Sequence, residues 1–198
     1  VITSPASRTL PADRPPAPVP ITVAGTGALA LAAVAGWTSG LVLVGGRVVP
    51  GWGVSAVLLV LALGFRRVAG RPRRSALVRW GQRALIGAAV LGTLAGVAGD
   101  VLNGARYHVL RPEGRDGCRA VVRETAFLVL GAGEAYAVGR SGWAVGKAGS
   151  WHVDDAYRPV EFGTYALTWG ADSGLLRVSG TGTDPVLDGG LAELDCGW

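Results

Sequence analysis

From residue 21 to residue 46 the chain carries no ionisable side chain, and that run limits what its first half can become. About 20 helical residues cross a hydrocarbon core, so a stretch of this length predicts a membrane-spanning helix. Two more apolar runs follow, residues 48–65 and 84–102, the last uncharged except for Asp100. Pro50 fits a first helical turn and Trp52 an interfacial anchor, although the short remainder of that run would also suit a re-entrant segment. The reading is a region of three transmembrane helices over residues 21–103. A cleaved leader is the alternative for the first run, because Ala33-Val34-Ala35 resembles a small-residue cleavage site, but the apolar run continues past it. Residues 1–20 hold six Pro among small and polar residues, the composition of a disordered tail.

Charge supports the same division. Charged residues make up 17% of the chain, against about 25% in ordinary soluble domains, and the mean hydropathy is +0.37. The net charge of +5 is unevenly spread: the first 103 residues carry ten Arg against Asp13 and Asp100, the rest nine basic and twelve acidic side chains. Positive charge therefore collects between apolar runs, where topology explains it, and nucleic acid is not an expected partner. Arg supplies eighteen of the nineteen basic residues, Lys147 being the exception, a usage that resembles high-GC, actinobacterial-type composition.

The loop 66–83 carries Arg66, Arg67, Arg71, Arg73, Arg74, Arg79 and Arg83 with no acidic residue, while Arg47 stands alone between the first two runs. Short Arg-rich loops stay cytoplasmic. This predicts a multi-pass protein of the cytoplasmic membrane, its N-terminal tail inside and residues 104–198 outside. Arg66, Arg67, Arg71, Arg73 and Arg74 are also candidates for contact with anionic lipid headgroups. Both cysteines, Cys118 and Cys196, fall in the part assigned to the outside, where an oxidising compartment preserves a structural disulfide. Closing so long a loop is worth roughly 4–5 kcal/mol in the chain-entropy model.

After Tyr107 the long runs give way to short alternating ones. Tyr165, Leu167 and Trp169 share one strand face, Ala171-Asp172-Ser173-Gly174 is a turn signal, and Leu176 and Val178 continue the inward face. Gly131-Ala132-Gly133 is read as the turn between strands 120–130 and 134–138, with further strands at 143–147, 151–153 and 191–196. The prediction is a small all-β domain, an antiparallel meander forming a barrel or sandwich and closed by one disulfide.

Reactive motifs are weak. His152, Asp154 and Asp155 lie beside Trp151 and could join a ligand site, but a His-x-Asp pair needs further ligands at defined positions. Asp172, Asp184 and Asp188 sit in Gly-rich loops without the spacing of a calcium loop. Gly180-Thr181-Gly182-Thr183 lacks the strand-to-helix context of a phosphate cradle. Asp100, an acid near the end of an apolar run, is a candidate for proton or ion transport. Gly36 with Gly40 and Gly92 with Gly96 form GxxxG patterns that favour close helix packing. No catalytic residue, metal or cofactor is assigned. The expected role is a non-enzymatic envelope protein that presents its β-domain for protein binding or assembly, with the bilayer and another envelope protein as partners. The alternatives are a small-molecule sensor or carrier subunit, whose pocket Trp143, Trp151, Trp169 and Tyr165 would line, and, third, an envelope enzyme.

Overall fold

The computed structural model describes residues 19–68 and 76–196, and it breaks the expected three-span region at its first turn. Helix α1 (Val19–Trp37) stops well short of residue 46. The apolar run continues as strand β1 (Gly40–Val44), turns at Gly45-Gly46 and returns as β2 (Arg47–Pro50). Leu41 faces Pro50 and Val44 faces Arg47. Both turn glycines have positive φ, 57° and 79°, the backbone that a two-residue hairpin turn favours and that glycine adopts without a Cβ clash. Val42, Val44, Val48 and Val49 flank that turn, and β-branched residues favour strand over helix.

Helix α2 (Gly51–Val68) follows directly and closes on Arg66 and Arg67. Helix α3 (Ala76–Leu102) is the longest, at 27 residues. Among the described residues, α3 alone is long and apolar enough to cross a membrane, and the apolar part of α1, Ala24–Trp37, is shorter. The expectation of three transmembrane helices over residues 21–103 is thereby overturned. The hairpin removes residues 40–50 from the first two apolar runs, leaving one helix of spanning length where three were expected. The Pro-rich tail up to residue 18, and Arg71, Arg73 and Arg74 in the expected headgroup-binding loop, lie outside the described residues.

The three helices pack through small residues. A Cβ on Gly92 would come 3.0 Å from the carbonyl atoms of Gly36, and one on Gly96 would come 2.7 Å from Trp52 Cβ. Ala32, Ala62, Ala89 and Ser55 are buried between the helices. The Ser55 hydroxyl donates to Ala32 O at 2.8 Å, and Thr93 Oγ1 lies 2.8 Å from Ser55 Oγ. Gly40 is not in a helix; it opens β1 and packs against Ala144 O.

Nine strands follow: β3 (Arg106–Val109), β4 (Arg119–Phe127), β5 (Leu130–Val138), β6 (Trp143–Val145), β7 (Gly149–Asp154), β8 (Tyr165–Trp169), β9 (Gly174–Val178), β10 (Val186–Gly189) and β11 (Leu191–Leu194). They form three antiparallel sheets, ordered β2-β1-β6, β10-β7-β5-β4-β3 and β11-β9-β8. The single meander expected is therefore replaced by three small sheets, one of which borrows the hairpin from the helical half. The main core gathers Val122, Trp151, Val153, Leu176 and Leu194, with Tyr165, Leu167 and Trp169 packed on it. A second cluster joins Leu41 of the hairpin to Val121, Tyr136 and Val138. The Cys118–Cys196 disulfide forms, linking the start of β4 to the end of β11 and so tying two sheets together.

One turn moved. Gly131 and Gly133 lie inside β5, because Gly133 faces the Trp151 ring and Gly131 the Ala156–Tyr157 backbone, where a Cβ would collide. The chain turns instead at Leu128-Val129.

Candidate functional site

The most heavily connected polar group lies where α3 meets the sheets. Asp100, in the last turn of α3, accepts hydrogen bonds from Trp52 Nε1 at 2.7 Å, Tyr107 OH at 2.8 Å, and Arg123 Nη2 and Nε at 2.6 and 3.0 Å. Each donor comes from a different element: the first turn of α2, β3 and β4. Arg123 reaches on to Glu134 Oε2 at 3.2 Å, which also accepts from Tyr136 OH at 2.9 Å, and Lys147 stands 3.5 Å from Glu134 Oε1. Burial works against the Arg123 charge, but the hydrogen bonds and charge of Asp100 outweigh it and raise the guanidinium pKa above its ordinary value. Burial, then the bond to Asp100, pushes the Tyr107 phenol up. Burial and the Glu134 carboxylate do the same to Tyr136. Both phenols stay protonated donors, and the cluster is a closed, internally satisfied network that clamps helices to sheet.

A second buried acid organises the neighbouring loop. Glu124 on β4 is 1% exposed. Its two oxygens accept from the backbone N–H groups of Val160 at 2.8 Å and Glu161 at 2.9 Å, with His108 Nε2 at 3.5 Å. Burial pushes its carboxyl pKa up against the opposing pull of the Val160 N–H, His108 and Arg158. Arg158 Nη2 donates to Gly104 O at 2.8 Å, and Arg106 pairs with Glu161, so this loop is fastened to the exit of α3.

Beside these polar clamps lies a bare apolar surface. Leu91, Leu94, Ala95, Ala98, Val101 and Leu102 recur at the three- and four-residue spacing of one helix face, and all are exposed. Only 11% of the apolar window of α3 is buried, whereas the core helix of a water-soluble fold is mostly covered. The topology places Arg66 and Arg67, at the end of α2, and Arg79 and Arg83, early in α3, at the end of the bundle away from the sheets.

The weaker sequence candidates scatter. His152 is exposed on β7 with Nδ1 2.7 Å from Asp188 Oδ1, a partner that no local motif indicated. Asp154 turns away to accept from the Asp155 N–H at 3.0 Å. Asp184 bonds Thr181 and Thr183 in its own loop, which hold its pKa below the ordinary value. Trp151 is core, Trp143 is exposed, and Trp169 donates to Pro112 O at 2.8 Å, so the aromatic set converges on no common pocket. A cleft of about 140 Å³ beside the disulfide is lined by Arg115, Asp116, Trp169, Asp172 and Ser173 and is more polar than apolar. Among the described residues, no group of three or more His, Cys, Asp or Glu side chains is placed to hold a metal ion. What sequence reasoning missed is the Asp100–Arg123 clamp, whose partners are 23 residues apart and share no periodicity. The one available signal was an acid close to the end of an apolar run. No family model, curated protein or solved structure matches the chain.

Proposed function

We propose that this is a membrane-anchored binding protein without catalytic activity, lodged in the bilayer through α3 and presenting its sheets outside the cytoplasm to another envelope protein. The observation that carries the reading is the exposed apolar face of α3, with arginines at the end of the bundle away from the sheets. Lipid is a solvent in which such a face needs no further cover, and arginines at that end match the charge bias of cytoplasmic boundaries. The disulfide suits an oxidising compartment. The clustered acids are saturated by structural donors, which supports a binding role over turnover. The contact surface for the partner is the edge of β6, an outer strand of its sheet, where Trp143 and Val145 are exposed. Apolar edge strands invite pairing with another chain.

Lys147, two residues beyond β6 and half-exposed, tests this directly. Intact protoplasts are treated with a membrane-impermeant amine crosslinker, and the product at Lys147 is identified by mass spectrometry. Attachment to one recurrent envelope protein, lost in Trp143→Ser/Val145→Ser, is the expected result. Reaction of Lys147 only after lysis would overturn the orientation.

A further inference from the structure

We propose that the β4–β5 hairpin tip is a second lipid contact, a wedge that enters the headgroup boundary beside the outer end of α3. Phe127, Leu128, Val129 and Leu130 are four consecutive large apolar residues, all exposed, with Leu128 81% accessible. Turn chemistry does not explain them. Leu128 adopts φ 54°, a conformation that favours Gly, Asn or Asp and that a branched apolar side chain enters at a cost. A solvated two-residue turn normally selects polar or glycine residues for that reason, so these side chains answer a different demand. The wedge is also placed. Ala126 N donates to Asn103 O at 2.8 Å, and Ala156 N donates to Val129 O at 3.1 Å. The tip is thus held at the residue immediately following α3, where the exposed stripe ends in Val101 and Leu102. Phe162, exposed and stacked on Tyr157 with centroids 5.2 Å apart, extends the apolar surface from the adjoining loop.

The occupant is the bilayer because the tip continues the helix face of spanning length and its own four side chains, Phe127 to Leu130, are all apolar. The inference rests on the proposed α3 anchor, and the experiment separates the two. Val129→Cys, labelled with an environment-sensitive fluorophore, is incorporated as the full chain into phosphatidylcholine–phosphatidylglycerol vesicles. The native disulfide leaves no free cysteine to compete. Flotation with the vesicles after alkaline wash reports the anchor. Blue-shifted emission, quenched by shallow nitroxide lipids and protected from aqueous iodide, is expected of the wedge. In Leu128→Asn/Val129→Cys, asparagine accepts the positive φ and keeps the turn, so flotation persists while lipid quenching falls. Flotation with iodide quenching and no lipid quenching overturns the wedge and leaves the anchor standing. Emission that shifts only with protein concentration identifies a second copy as the occupant and overturns it as well. Failure to float overturns both.

Discussion

The helical and β-sheet halves of this chain pack in opposite senses. In the sheets, large side chains such as Trp151, Leu176, Leu194 and Val121 are inside, in the arrangement water imposes. Between the helices the buried set is mostly small, Ala32, Ser55, Ala62, Ala89 and Gly92 beside Leu29 and Gln82, while Leu31, Val57, Val60, Leu91 and Leu94 face outward. Small residues at the contact bring backbones together, and dispersion and hydroxyl bonds hold them without expelling large apolar groups from a solvent. One chain thus obeys two packing rules, and the clamp at Asp100 and Arg123 marks where they meet.

The largest test of this contrast removes the crosslink. Cys118→Ala/Cys196→Ala opens a connection across 78 residues and is expected to destabilise the sheets by roughly 4–5 kcal/mol. Urea unfolding in detergent, followed by circular dichroism, should show the β signal lost early with the helical signal retained. Simultaneous loss would make the halves a single cooperative unit and dissolve the contrast. Next comes Glu124→Ala, which strands the N–H groups of Val160 and Glu161 and should cost about 2–6 kcal/mol, at 1–3 per unsatisfied group. Its charge adds a pH signature. Because burial raises the folded pKa above the ordinary 4.5, the contribution of this group is fully present below the unfolded value. It is lost as pH rises through the folded pKa, since the folded state binds the proton more tightly. Glu124→Gln should flatten that part of the stability profile.

Two smaller changes sharpen the comparison within one helix. Gly92→Ala forces a Cβ to 3.0 Å from the Gly36 backbone, and overpacking of this kind costs about 1–3 kcal/mol. Gly87→Ala, where nothing lies within 4 Å, should instead stabilise by about 0.5–1 kcal/mol through helix propensity. Thermal melts of the helical signal that move in the same direction for both would remove the case for small-residue packing. The smallest effect is expected for His152→Ala: its contact with Asp188 is exposed on both sides and should be worth less than about 1 kcal/mol in a double-mutant cycle.

Legibility divided along the same line. Alternation revealed β8 and β9 with their inward faces, because each has one wet side and one dry side. Two cysteines in the β part were enough for the disulfide. The first two apolar runs misled, because a strand and a helix that are apolar throughout look alike by hydropathy alone. The signal that separates them was Gly45-Gly46 between valine-rich arms, a hairpin turn that length arguments hide. The glycines of β5 deceived for a related reason: Gly133 yields to the bulk of Trp151 and Gly131 to the Ala156–Tyr157 backbone, long-range facts that local sequence does not carry. The Asp100 clamp was illegible because it is assembled from α2, α3, β3 and β4 only after they have packed.

The pairing of β1 with β6 has a consequence for how the chain is made. Leu41 lies opposite Ala144, so about a hundred residues must be synthesised before the hairpin finds its partner, or roughly 5–20 s at ordinary translation rates. Throughout that interval an apolar strand edge stands open beside the first helices, ready to pair with whatever chain is nearby. A truncation ending after Asn103 would make that interval permanent and leave β1 open to aggregation. Pairing with β6 thus covers, late in synthesis, a strand edge that the earlier half exposes.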